Sequence, residues 1–185
     1  MVKKIIILAS GGGSNAENII HYFQKHTSIS IDRVLCNNKT AFVFERMDNL
    51  GTPCYWFDAS KENVIIDLLS SCQPDLIVLA GYLKKIPPQL IQLFPNKIIN
   101  IHPALLPKFG GKGMYGMHVH KAVKENGELF SGITIHYVNE HYDEGGVIFQ
   151  ERVAINSDDD PKQIAKKVQA LEYAHFPKVI ENLLS

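Results

Sequence analysis

The chain has little of what would tie it to a special environment. Three cysteines occur in 185 residues, Cys36, Cys54 and Cys72, in three different expected elements and never as a Cys-x-x-Cys pair. That odd count and spacing point to neither a disulfide framework nor a zinc site, and free thiols fit a reducing compartment. Charge of one sign is missing too: Lys and Arg total 19, and so do Asp and Glu. Nucleic-acid binders carry a basic excess or stripe, so a polyanion is not expected as partner, whereas a small anion held by local groups is compatible. No apolar run approaches the roughly 20 residues that span a bilayer. Lys3-Lys4 before Ile5–Ala9 has the outline of a secretion signal, but the apolar stretch is short and runs into glycines. A cytoplasmic protein, off the membrane, is expected. No repeat, low-complexity tract or linker divides the sequence, so residues 1–185 are expected to form a single domain, monomeric or homodimeric. A chain of this length buries roughly 70% of its unfolded surface and needs no staple.

What is present is alternation. Ile5–Ala9 is a continuous apolar run that ends in Gly11-Gly12-Gly13, the pattern of a strand buried on both faces. Ser14 or Asn15 is placed to cap a helix reaching about His26, and Ile31–Cys36 reads as the next strand. Ala41–Leu50 reads as a helix, Cys54–Phe57 as a short strand, and Lys61–Cys72 as an amphipathic helix with Val64, Ile65, Leu68 and Leu69 inward. Asp75–Ala80 is another buried strand. Pro87-Pro88 opens a short helix, and Lys97–Ile101 is a fifth strand, with Asn100 and His102 at its C-terminal end. Residues 103–116 form a long loop rich in glycine and proline, of a length that is usually functional or mobile, and Gly110–Gly116 within it is expected to be mobile. A helix over 117–126 follows, then two alternating, antiparallel strands, Gly132–Val138 and Val147–Val153. A terminal helix spans Asp158–Leu184, with a break possible before Pro177. The expected fold is α/β: an open, mostly parallel, doubly wound sheet with an antiparallel pair toward the C-terminus.

The Gly11–Ala16 segment follows a strand and opens a helix, where unpaired amides and the helix dipole favour an anion. Its string also fits the dinucleotide pattern G-x-G-x-x-A, but that reading requires an acid about 20 residues on, and Cys36-Asn37-Asn38 supplies none. Two readings stay open: a tight turn alone, or a monophosphate on Gly13, Ser14 and Asn15. Asn100 and His102, two apart on an extended strand, project to one side and suit carbonyl polarisation and oxyanion stabilisation. Asp143, in the turn Asp143-Glu144-Gly145-Gly146, is either a plain turn residue or a partner for His102. If it folds over the strand end, its charge is expected to keep His102 cationic, raising the ring above the usual ~6.5.

The run Asn100-Ile101-His102-Pro103-Ala104-Leu105-Leu106-Pro107-Lys108-Phe109, with Asp143-Glu144-Gly145 further on and Gly11-Gly12-Gly13-Ser14-Asn15 at the start, resembles the signature of the folate-dependent formyltransferases. The resemblance spans nearly the whole chain. It implies a Rossmann-like formyltransferase fold and transfer of a formyl group from 10-formyltetrahydrofolate to the amine of glycinamide ribonucleotide. Asn100, His102 and Asp143 inherit the catalytic positions. Gly13, Ser14 and Asn15 inherit the substrate phosphate, with Gln169 and Glu172 of the last helix also on the ribonucleotide. Leu83, Lys84, Lys85 and Ile86, with Asn139, Glu140, His141 and Tyr142, inherit the folate. The family commonly has Arg and then an apolar residue where this chain has Lys84-Lys85, so folate affinity is expected to differ. His118 and His120 with His102 and Asp143 can be drawn as a metal site, but the implied chemistry needs no metal and none is expected; His118 is expected to support the active-site network. The rival within the family is a formyltetrahydrofolate hydrolase, in which water attacks; transfer to methionyl-tRNA normally accompanies an added RNA-binding domain. A rival of another class is a phosphate-ligand binding module without catalysis.

Overall fold

Residue parity along the strands sorts the core into two layers. In the computed structural model, which describes residues 2–185, β1 (Lys3–Ala9) sends Ile5, Ile7 and Ala9 to one face of a sheet and Ile6 and Leu8 to the other. Period-2 alternation does this wherever a strand is covered on both sides, which is why β1 reads as an unbroken apolar run. On the first face, α1 (Ser14–Phe23) contributes Ala16, Ile19, Ile20 and Phe23, and α6 (Pro161–Leu184) contributes Ile164, Val168, Phe176 and Ile180. On the second, α3 (Glu62–Cys72) contributes Ile65, Ile66 and Leu69, and α4 (Pro88–Leu93) contributes Leu90.

The remaining elements are β2 (Ile29–Cys36), α2 (Val43–Asn49), β3 (Cys54–Trp56), β4 (Leu76–Leu79), β5 (Ile98–His102), α5 (Met117–Glu125), β6 (Phe130–Tyr137) and β7 (Val147–Ala154). One seven-stranded sheet runs β3-β2-β1-β4-β5-β6-β7. The first five strands are mutually parallel; β6 pairs antiparallel with β5, and β7 antiparallel with β6. The expected doubly wound sheet with its antiparallel pair is therefore present. The chain leaves β1 in one direction across the sheet and returns beyond it to β4, so the crevice at the strands' C-terminal ends opens between these two strands. There the loops are tied: Ser10 N–H donates to the Gly81 carbonyl at 3.0 Å, and Leu83 N–H to Ser10 Oγ at 3.0 Å.

Several local expectations are corrected. Neither Ser14 nor Asn15 caps α1: the N-cap is Gly13, left-handed at φ 74°, and no side chain bonds the exposed amides. The Asn15 amide is spent on a tertiary contact instead, donating to Glu172 Oε2 at 2.8 Å. A Cβ on Gly13 would stand 2.4 Å from Val43 Cγ2, so close packing as well as φ requires glycine there. In α3 the inward stripe is Ile65, Ile66 and Leu69, with Val64 and Leu68 at its margin, because the helix meets two neighbours rather than one. The last helix starts at Pro161, where Asp160 and Gln163 form a reciprocal capping box. It continues through Pro177 without a break. Removing one helical hydrogen bond costs about 3 kcal/mol, and the buried Phe176, Pro177, Val179 and Ile180 around it offset that loss.

Candidate active site

Strand pairing builds the site. Antiparallel register sets Asn100 opposite His136 and His102 opposite Thr134, so four polar side chains share one face at the end of β5. His102, Thr134 and His136 are 3%, 0% and 2% exposed, and polar groups buried so deeply require partners. Thr134 finds three: its hydroxyl donates to the Ala104 carbonyl at 2.7 Å and accepts from Leu106 N–H at 3.0 Å and Gln150 Nε2 at 2.9 Å. The loop over 103–116 is thereby pinned to the sheet at its start. Its far part is pinned by Gly111 N–H, which donates to Asp143 Oδ2 at 2.9 Å.

The turn after β6 does bring its carboxylate to the strand end. Asp143 adopts a left-handed φ of 59°, a conformation that Asp tolerates better than most residues. Its Oδ2 lies 3.5 Å from His102 Nδ1, and its Oδ1 lies 3.6 Å from His136 Nε2 and 3.5 Å from Asn100 Nδ2. His102 Nε2 donates to the Phe109 carbonyl at 2.8 Å. Burial raises the Asp143 carboxyl, but His136, His102 and the Gly111 N–H together outweigh it and hold the group below the usual carboxylate range. For His102 the balance reverses. Burial is the largest influence and lowers the ring below the ordinary histidine value, outweighing the raising effects of Asp143 and the Phe109 carbonyl. The expected cation is therefore a neutral ring in the free site, because desolvation exceeds the attraction of a carboxylate 3.5 Å away.

A cavity of about 620 Å³ opens over this cluster. Asn100, His102 and Asp143 line it, as do Asn15, Gln169 and Glu172, with Asn15 bonded to Glu172. Leu83, Lys84, Lys85 and Ile86 line it too, with Asn139, His141 and Tyr142. Three residues of the expected set, Gly13, Ser14 and Glu140, are not in its lining. Gly13 packs against Val43, whereas Gly11 and Gly12 have no atom within 4 Å of an added Cβ and so leave the cradle open. Glu172 is pushed above the usual carboxylate range by burial, partly countered by its bond to Asn15, and a neutral carboxyl is the form that best tolerates a nearby anion.

His118 does not join the network: it is exposed and sits edge-on to Tyr115, with ring centroids 5.5 Å apart. Two residues along the same helix, His120 is 6% exposed, lines the cavity, and has a buried Nδ1 without a partner. Burial and the nearby His102 both lower its pKa. Among the described residues, no group of three or more His, Cys, Asp or Glu is arranged to hold a metal ion. His136 and Thr134 are cluster members that motif reading passes over, and His120 is one it weighs only as a metal ligand. The signal for His136 and Thr134 is the alternation Ile133-Thr134-Ile135-His136, apolar on one face and polar on the other, matching Asn100-Ile101-His102 across the pair.

Known proteins share this fold. Residues 3–180 match the family described as Formyl transferase. The chloroplastic phosphoribosylglycinamide formyltransferase of Arabidopsis thaliana is 42% identical over 96% of this chain, which spans 64% of that protein's length. The phosphoribosylglycinamide formyltransferase of Bacillus subtilis is 36% identical, with 99% of this chain and 95% of that protein covered. The crystal structure of the phosphoribosylglycinamide formyltransferase from Streptococcus pneumoniae superposes with a TM-score of 0.88 at 34% identity, covering both chains completely (100% of each). With the motifs, the sheet order and a match over 3–180 in agreement, the chain belongs to the formyl transferase family.

Proposed function

We propose that this protein transfers the formyl group of 10-formyltetrahydrofolate to the amine of glycinamide ribonucleotide, a step of purine synthesis, and that residues 1–185 act as one catalytic domain. The observation that carries the reading is convergence: the Asn100, His102 and Asp143 cluster lines one cavity together with Asn15, Gln169 and Glu172 and with Leu83, Lys84, Lys85, Ile86, Asn139, His141 and Tyr142. Those two groups of residues suit a phosphorylated ribosyl amine and a folate, and holding both substrates in one crevice contributes several kcal/mol of effective concentration. Residues Gly13, Ser14 and Asn15, with Gln169 and Glu172, take the ribonucleotide; Glu140 joins the folate segment from outside the cavity lining.

The amine attacks the formyl carbon directly, forming the N–C bond while the carbonyl electrons move to oxygen. Asn100 donates an N–H to that oxygen. His102, neutral beforehand, takes the proton the nitrogen must lose, directly or through a water. The imidazolium so formed faces Asp143 and stabilises the oxyanion. Collapse breaks the bond from carbon to the folate nitrogen, which leaves with the proton. No metal enters the reaction, and the partners are small molecules rather than nucleic acid. No helix of the described residues is long and apolar enough to cross a membrane; we place the reaction in the cytoplasm on the strength of its free thiols and balanced charge.

The test mixes purified protein with formyl folate, with and without glycinamide ribonucleotide. Release of tetrahydrofolate only when the amine is present supports the transferase. Equal release without it selects the hydrolase, and none in either case leaves a binding module.

A further inference from the structure

His136 has two polar contacts within hydrogen-bonding distance, Asp143 Oδ1 standing beyond them at 3.6 Å from Nε2, and those two determine its hydrogen. Nδ1 lies 2.9 Å from the Tyr137 carbonyl oxygen, which only accepts, so Nδ1 carries the hydrogen. A neutral imidazole that donates from one nitrogen has a lone pair on the other, so Nε2 is an acceptor. The group 3.1 Å from it is Asn100 Nδ2. This contact is built into the sheet, because Asn100 and His136 are direct partners in the antiparallel register of β5 and β6.

A carboxamide has a donor end and an acceptor end of nearly the same shape, and a half-turn exchanges them. For Asn100 that choice decides the chemistry: an N–H facing the formyl oxygen stabilises growing negative charge, and a C=O facing it opposes that charge. Asp143 Oδ1 favours the same orientation but stands 3.5 Å from Nδ2, at the edge of hydrogen-bonding distance. The shorter bond to His136 is the stronger selector. It occupies one Nδ2 hydrogen and leaves the second, held loosely by Asp143, to pass to an arriving substrate oxygen.

We infer that His136 is a positioning residue for formyl transfer: its Nε2 lone pair holds the Asn100 amide in the orientation that donates to the substrate. The inference rests on the role of Asn100 proposed above. Because the aligned N–H matters most when charge has developed, its loss is expected in kcat rather than in KM.

The experiment compares four variants by kcat and by KM for both substrates, with thermal melts as the folding check. His136→Asn keeps a donor near the Tyr137 carbonyl but places no acceptor by Asn100; His136→Gln restores an acceptor near the Nε2 position. His136→Asn is expected to lower kcat by about 10-fold or more with KM within about twofold, and His136→Gln to recover most of the loss. Asn100→Ala combined with His136→Asn is expected to be no slower than Asn100→Ala alone, within about twofold, because both act through one amide. Normal kcat in His136→Asn, or losses that multiply in the double variant, overturns the inference. Normal turnover in Asn100→Ala instead overturns the role of Asn100 itself. If His136→Asn does not fold, His136→Phe, which fills the ring's volume, takes its place with the same expectations.

Discussion

His102 illustrates how far a single residue is legible. Its position at a strand end, two residues after Asn100, follows from spacing, and its nearness to Asp143 from a motif. Its charge does not, because burial is a property of the finished fold: at 3% exposure, desolvation outweighs a carboxylate whose oxygen is 3.5 Å from the ring. His136 was hidden for a related reason, since its partnership with Asn100 arises from strand register and not from sequence distance. In the proposed reaction a neutral His102 beside a low-pKa Asp143 gains a proton, and the two should behave as a unit. His102→Ala and Asp143→Ala are each expected to lower kcat by at least about 100-fold, the usual scale for an acid-base or oxyanion group. The double variant should lose little more than either single one. Steady-state formyl transfer measures both; retained turnover in a single variant removes that residue from the mechanism.

At the scale of elements, periodic segments were legible and their junctions were not. The strands β1, β4 and β5 lie within about two residues of where apolar runs place them, because burial on both faces leaves a continuous signature. Junctions depend on partners far along the chain: Asn15 is drawn from capping by Glu172, and the terminal helix passes Pro177 because its neighbours are buried. The turn that carries Asp143 depends on such a junction. A Cβ on Gly145 would fall 1.7 Å from the Tyr137 carbonyl oxygen, a backbone atom that cannot turn aside, whereas one on Gly146 would meet only a Tyr137 ring carbon at 4.0 Å. Gly145→Ala is therefore expected to cost about 1–3 kcal/mol and to lower kcat by displacing the carboxylate, with Gly146→Ala close to wild type in both. Urea midpoints and kcat check this, and equal behaviour of the two variants contradicts it.

For the whole molecule, a formal net charge of zero was readable from the sequence, but which groups surrender their charge on folding was not. His102 and His120 are both held below the ordinary histidine value, burial being the larger cause in each, and Glu172 is held above the carboxylate range by burial. When a histidine's pKa is depressed by folding, the unfolded chain binds the proton first. Between the unfolded value near ~6.5 and the lower folded one, unfolding takes up a proton, so stability falls as pH falls. Glu172 works the other way: above the ordinary carboxylate range the folded chain keeps a proton that the unfolded chain has released, so stability falls as pH rises through that interval. Asp143, depressed on folding, contributes stability that is lost only below the ordinary carboxylate range and leaves this window untouched. Two histidine protons against one carboxyl proton set the sign just below pH ~6.5, with each proton adding a slope of at most about 1.4 kcal/mol per pH unit. Urea midpoints are therefore expected to decline between about pH 7 and pH 5.5. His120→Asn should make the decline shallower, and Glu172→Gln should make it steeper by removing the opposing group. A midpoint that rises on acidification, or a slope that ignores both substitutions, means that these buried groups do not govern the acid response.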